Sequence, residues 1–323
     1  MRHSRVMVKS EIRYIPVGGA LAEVMNRTFQ GRPLLRPSSE VNEILAGILS
    51  RALLRYPVQI VSFVFLSNHY HGMLWAPDAK VLARFMNFIG SNIALELGRL
   101  YDWDGKFWEG RYKMSLISDE AAAQVKRLKY QLSQGVKEGL VARPEHWPGL
   151  HCAEALATGV PIRGVWYDRT REYNQGRRKP RAERQTFPEE HLLRFSKLPC
   201  WAHMPDEEYQ ANVQSLIDEV VEEGAAMRKR KGIVLPSPRK ARRKICRVHP
   251  HSRPRAPKKS IVERFIAATR KEKERMIEAY RLFLEAYREA ADELRRGNRE
   301  AKFPVGCFPP GLPFVSEVSA RSP

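Results

Sequence analysis

Over roughly the first 150 residues, apolar and polar positions recur with clear helical and strand periods, and the order of those periods predicts a fold. From Arg5 to Pro16, RVMVKSEIRYIP carries branched and aromatic residues at strand density, Met7, Ile12 and Ile15 among them, which predicts a first strand followed by a loop rich in Gly and Arg. Pro37-Ser38-Ser39-Glu40 has the capping chemistry of a helix start. Val41, Ile44, Leu45, Ile48, Leu49 and Ala52 then fall at i, i+3, i+4, i+7 and i+8, so one face of that helix must be covered. Pro57 stops it. Gln59 to Leu66, QIVSFVFL, is short, branched and aromatic, the pattern of a buried strand. Ser67-Asn68 forms a turn into a return strand, His69 to Trp75. A second helix follows from Val81 to Leu100, with Leu82, Phe85, Met86, Ile89 and Ile93 on one side.

A polar, aromatic loop, YDWDGKFWEGRY, leads to a fourth strand at Lys113 to Ile117. Ser118-Asp119-Glu120 then opens a third helix with Ala121, Val125, Leu128 and Leu132 facing inward, and Gly135 and Gly139 weaken its end. Strand, helix, strand, strand, helix, strand, helix predicts an α+β fold: a ferredoxin-like (RRM-like) antiparallel sheet with helices on one face. Beyond residue 150 the pattern changes. GRRKPRAER from Gly176 and RKARRKICRVHPHSRPRAPKK from Arg239 read as too basic and Pro-rich to pack, as linkers or flexible arms. The expected organisation is one folded domain over 1–150, a basic linker region over 151–258 with a helix at Asp206 to Glu223, and a third part over 259–323. That last part holds a long charged helix from Ser260 to Arg296 and a Pro-rich tail. A capping box of Ser260 with Glu263 would start the long helix and Gly297-Asn298 would stop it.

Charge changes this picture. Lysine and arginine number 56 against 36 acidic residues, a formal net charge of +20 that favours a polyanionic partner such as nucleic acid. Both parts share it, with +7 on residues 1–150 and +13 on 151–323. Cys152, Cys200, Cys246 and Cys307 are far apart, against the spacing of a disulfide framework or a zinc ribbon, and fit a reducing cytoplasm. No window reaches the length of a membrane span and no signal-length apolar run opens the chain.

Candidate chemistry lies in two places. Alternate residues of a strand share a face, so His69 and His71 point together and Tyr70 points away, making the imidazole pair a metal platform or a pair of ordinary strand histidines. On the third helix Tyr130 and Gln134 are four apart and so share a face, able to offer a phenolic oxygen and an amide carbonyl.

The strings around these sites resemble a known family. FLSNHYHGML resembles the HUH motif of the REP-associated tyrosine transposases, KFWEGRYKMSLISDE their Trp-x-x-Arg-Tyr strand, and KYQLSQGVKEGLV their helix with the reactive tyrosine. The likeness runs over about residues 6–165 in the family's order. It implies an HUH catalytic domain over 1–150. By the resemblance His69 and His71 would bind a divalent metal, Mg²⁺ or Mn²⁺, Tyr130 would attack DNA, and Gln134 would complete the metal site. Many members read Tyr-Ile-His-x-Asn-Pro-Val in this helix, whereas Gln134-Gly135 stands here in place of Asn-Pro. The implied activity is cleavage and rejoining of single-stranded or hairpin DNA through a 5′-phosphotyrosine, as a monomer or a homodimer.

Trp108, Arg111 and Lys113 interleave an aromatic with cations and are candidate DNA contacts, as are Lys126, Arg127 and Lys129 beside Tyr130. Two other readings stand beside this one: a non-catalytic nucleic-acid-binding module of RRM-like fold, and a replication or conjugation nickase with the same HUH chemistry.

Overall fold

A computed structural model describes residues 12–178, 186–254 and 263–310. The expected strand from Arg5 to Pro16 falls mostly outside the described residues, and the first described strand lies after it. Residues 1–11 are outside the described residues, and residues 12–16 run without regular structure. The strand is Ala20–Arg27 (β1), in the segment expected to be a loop. Two of its inward positions, Ala20 and Ala22, are small residues of weak strand propensity. Position makes it a strand, since it is hydrogen-bonded on both sides inside the sheet.

The next elements fall where periodicity puts them. Helix α1 spans Ser39–Leu53, with the Ser38 side chain accepting from the Val41 backbone N–H. Strands β2 (Gln59–Leu66) and β3 (His69–Ala76) form the hairpin. Helix α2 (Ala79–Tyr101) starts at the Asp78 cap and stops at Asp102, whose φ of 50° breaks the helical run. Strand β4 (Lys113–Ile117) leads into α3 (Ala121–Leu132). The face of α3 that is buried is Ala123, Gln124, Leu128, Gln131 and Leu132, so Ala121, expected inside, is exposed.

Folding continues past residue 150, through α4 (Ala153–Thr158), β5 (Ile162–Tyr167), α5 (Arg169–Arg178) and β6 (Pro188–Leu193). Then come α6 (Asp206–Lys231), α7 (Pro238–Cys246), β7 (Phe265–Ile266) and α8 (Arg270–Arg295). The start of the basic run from Arg239 therefore does pack, its residues 255–259 lying outside the described ones: α7 buries Ala241 and Ile245, four residues apart on one face. The Ser260 cap lies outside the described residues. The cap of the long helix is instead Thr269, nine residues later, whose side chain accepts from the Glu272 N–H.

The main sheet has the order β2-β3-β1-β4-β7, antiparallel except for the parallel β4–β7 pair, and the fold is α+β. Helices cover both faces rather than one. Ile60, Phe63, Phe65, Tyr70 and Leu74 pack with α1 and α2, whereas Val61, Val64, Leu66, Met73 and Ile117 pack with α3, α4 and α6. This is why QIVSFVFL is apolar at nearly every position. A bulge at Val61 interrupts the β2–β3 register, and Val61 and Ser62 both reach the α3 side. The separate β5–β6 hairpin lies on α1 so closely that a Cβ on Gly47 would sit 2.1 Å from the Val165 carbonyl oxygen.

Within the sheet, β2 and β4, the outer strands of the antiparallel part, are both met by the chain's own backbone. On β2, the Phe65 N–H donates to Leu150, the Cys152 N–H to the Phe63 carbonyl and the Ser196 N–H to Ile60. On β4, the Leu116 N–H donates to Arg264 and the Ser118 N–H to Ile266. All four cysteines are free thiols, and among the described residues no helix is long and apolar enough to cross a membrane.

Candidate active site

His69 and His71 lie on the α3 face of β3, and their ring centroids are 5.3 Å apart. Tyr70 points into the opposite layer among Phe63, Phe65 and Trp108, 1% exposed, and burial pushes its hydroxyl far above the usual tyrosine range. The strand period has thus sorted the three side chains.

Each imidazole is held through Nδ1. His69 Nδ1 lies 2.7 Å from the Asn68 side-chain oxygen, and Asn68 is anchored by donating to the Gly31 carbonyl. His71 Nδ1 lies 3.2 Å from Glu23 Oε1. With oxygens fixing both Nδ1 atoms as N–H donors, the Nε2 lone pairs are the ones left to bind an ion. Burial, helped by the nearby charges of His71, Arg27 and Lys137, lowers the pKa of His69 to about 3, keeping its ring neutral.

Glu23 is the hub that the sequence reading missed. It is 2% exposed on β1, and besides His71 it accepts from the Gln131 amide at 3.2 Å and from the Arg127 guanidinium. Burial alone would raise its pKa, but the hydrogen bonds and charges of His71 and Arg127 outweigh that and hold it low. Gln131, fully buried, completes the chain by accepting from Ser62 Oγ at 2.6 Å. The signal was present in ALAEVMNR, where an acidic residue interrupts an apolar stretch. Expecting a loop there hid it.

Tyr130 stands over this network, 37% exposed, with its ring centroid 5.8 Å from that of His71 and the planes at 81°. The Arg127 guanidinium carbon is 4.1 Å and the Lys137 ammonium 3.6 Å from the ring centre. Lys137 was not among the sequence candidates. Gln134 lies just past the end of α3, 1% exposed, its amide N–H donating to the Tyr130 carbonyl at 3.1 Å. Its Oε1 accepts no hydrogen bond among the described residues, and its one side-chain bond is to Tyr130 rather than to either histidine.

The candidate DNA contacts separate by environment. Lys113 is exposed on the histidine face, in a cross-strand row in which His71 pairs with Met25 and Met25 with Lys113, roughly 10 Å from His71 at two strand spacings. Arg111 and Lys126 are exposed too. Lys129 is instead committed to α6, 2.5 Å from Glu219 and 2.8 Å from Glu223. Trp108 spends its indole N–H on the Gly90 carbonyl and packs edge-on against Tyr70, on the other face of the sheet. Tyr112 also belongs to that layer, where burial pushes its pKa up to about 12.

No protein-family model and no curated protein matches the chain. Among solved structures it is similar to a REP-associated tyrosine transposase bound to a REP hairpin, at 19% identity over 46% of this chain and 86% of that one, with a TM-score of 0.38. It is also similar to a Deinococcus radiodurans R1 protein with a transposase assignment, at 19% identity over 35% and 89% of the two chains and a TM-score of 0.28. Likeness at that level does not define a family. Among the described residues no group of three His, Cys, Asp or Glu side chains is arranged to hold a metal.

Proposed function

We propose that the protein is a DNA strand transferase of the tyrosine HUH transposase kind, cleaving single-stranded or hairpin DNA with Tyr130. The observation that carries this is the meeting of an exposed phenol, two cations and two oriented imidazoles on one side of the sheet. The run β1-α1-β2-β3-α2-β4 with order β2-β3-β1-β4 supports a ferredoxin-like core beneath it.

The proposed chemistry follows from those groups. The Tyr130 oxygen bonds to phosphorus as the bond to the 3′ oxygen breaks, and the proton lost by the phenol is balanced by the one gained by the 3′-hydroxyl. Reversal by a 3′-hydroxyl rejoins strands without an external energy source. Arg127 and Lys137 lie where they can neutralise the non-bridging oxygens, and Lys113, Arg111 and Lys126 where they can hold the flanking backbone. His69 and His71 would hold a divalent ion through Nε2, with the Gln134 amide oxygen as third ligand. Mg²⁺ or Mn²⁺ suits such mixed nitrogen and oxygen donors. When bound, the ion supplies Lewis acidity to the scissile phosphate. Glu23 and Asn68 act on the imidazoles as positioning residues. A non-catalytic binding module would give no account of why these groups converge.

The test is covalent capture. Tyr130→Phe should abolish protein–DNA adducts on a single-stranded hairpin while binding stays within about two-fold, since one hydroxyl is lost. Undiminished adducts would remove Tyr130 from the reaction.

A further inference from the structure

α7 presents a stripe of cations to a cleft. Arg239, Arg242, Arg243 and Cys246 are spaced i, i+3, i+4 and i+7, so they share one helix face, while Ala241 and Ile245 on the neighbouring face hold the helix down. The stripe lines a cleft of about 780 Å³, with Arg247 on the same side and Arg36 opposite. Ser38 and Ser39, at the start of α1, form part of its wall.

No carboxylate lines the cleft, and among the described residues none of its five arginines is ion-paired. Several guanidinium groups elsewhere are matched, Arg51 by Glu189, Arg127 by Glu23, Arg169 by Glu96 and Glu172 and Arg281 by Glu278 and Glu285, while among the described residues isolated exposed ones such as Arg288 and Arg299 are not; the cleft differs in gathering five together. Like charges one helical turn apart repel, so a stripe of this kind is relieved by an external anion.

The cleft is also joined through the chain to the turn before His69. Leu35, the residue before Arg36, donates its N–H to the Ser67 carbonyl, and Ser67 is two residues from His69. Arg36 reaches back to the Val248 carbonyl at 3.4 Å, joining that turn to the end of α7. The cleft is thus tied to the turn that precedes His69, on the α1 side of the sheet, so a strand lying in it would have to pass the sheet's end to reach the α3 side that carries the histidines.

We infer that this cleft is a second DNA site, built by α7 and the start of α1, which holds the phosphodiester backbone of a single strand running past the Tyr130 face. It rests on the reading of the protein as acting on DNA. The five guanidinium groups give it the forked donors that suit successive phosphates.

The experiment is a salt titration of binding to a fluorescein-labelled single-stranded oligonucleotide by anisotropy, with full-length protein carrying Tyr130→Phe throughout. Arg239→Gln, Arg242→Gln and Arg243→Gln are combined, glutamine being as good a helix former. A control combines Arg288→Gln, Arg296→Gln and Arg299→Gln, which removes the same charge from exposed positions of α8 and beyond. The cleft triple should lower the log–log salt slope by about 2, at about 0.7 for each lost single-strand contact, so the affinity gap to the parent changes roughly 20-fold between about 50 and about 200 mM salt. The control should keep the slope within about 0.7 of the parent. An unchanged slope in the cleft triple, or an equal drop in both triples, overturns the proposal. Adduct formation is assayed separately with Tyr130 restored. Adducts with an unchanged slope leave the Tyr130 reading standing without the cleft, and a lowered slope without adducts in the parent leaves the cleft standing without the Tyr130 reading.

Discussion

Replacing Glu23 by glutamine keeps the shape of the side chain and removes the charge that ties His71, Arg127 and Gln131 together. Stranding one member of a buried ion pair costs roughly 3–5 kcal/mol. The Arg127 side chain is 22% exposed and can turn toward water, so that range is an upper bound here. A charged hydrogen bond is worth about 1.5–3 kcal/mol, and with the amide still able to accept one bond the expected loss of stability is about 2 kcal/mol, read from urea unfolding. The functional effect is separate. His71 keeps a neutral acceptor but loses the carboxylate that makes it a better ligand, so affinity for Mn²⁺, measured by calorimetry, should fall about 10-fold, the low end for a residue that orients a metal ligand. Glu23→Asp should recover part of the affinity. If Glu23→Gln costs the expected stability but leaves Mn²⁺ affinity within two-fold, Glu23 serves only to anchor α3. If neither changes, the network argument fails.

The histidine pair and Tyr70 should behave oppositely: His71→Ala should remove cleavage and Mn²⁺ binding, whereas Tyr70→Phe, on the far face, should cleave nearly as the parent does, and equal damage from both would refute the platform. Acid should weaken the fold through His151, buried and with its pKa lowered to about 3 by that burial, because below about pH 6.5 the unfolded chain takes up a proton that the folded one refuses. Stability is thus complete above about pH 6.5 and falls by up to about 1.4 kcal/mol per pH unit toward pH 3 for each such histidine, His69 being the second in metal-free protein. His151→Asn, which keeps an acceptor for the Ala153 N–H, should roughly halve the pH slope of the urea midpoint, and an unaltered slope would show that His151 is protonated when folded. Gly47→Ala should cost about 3 kcal/mol or more, since its Cβ meets Val165 backbone at 2.1 Å, while Gly90→Ala, 3.7 Å from Trp108, should gain about 0.5–1 kcal/mol in α2; equal stabilities would contradict the α1–β5 packing.

What could be read from the sequence was what a local period determines. QIVSFVFL and HYHGMLW gave a hairpin because turn chemistry and branched residues agree, and α1 and α2 were legible from a single apolar stripe and a polar cap. β1 was not, because its strand character comes from neighbours on both sides rather than from ALAEVMNR itself. The same error hid Glu23, whose partners are 48 and more residues away. Tyr130 and the histidines were legible as separate motifs, but the cations on the phenol ring were only half so: Arg127 shares its helix, whereas Lys137 arrives from the turn after it. Lys129 looked like its neighbours and was not, since Glu219 and Glu223 come from a helix some 90 residues on. The packing of α7 was masked by composition. Two apolar residues in a basic run suffice to seat a helix that tertiary contacts support.

The backbone that lies along β2 and β4 bears on how copies of this protein can associate. An open strand invites a neighbour to extend the sheet, by dimerisation or by runaway polymerisation. Here residues 150–152 and Ser196 occupy one rim and residues 264–266 the other, so the chain acts as its own bordering partner. A homodimer that leaves β2 and β4 covered in this way would join through other surfaces, which single substitutions can retune without disturbing these two strands. Losing the segment around residue 265, by proteolysis or truncation, would reopen the β4 rim and turn a self-limited molecule into one able to aggregate strand to strand.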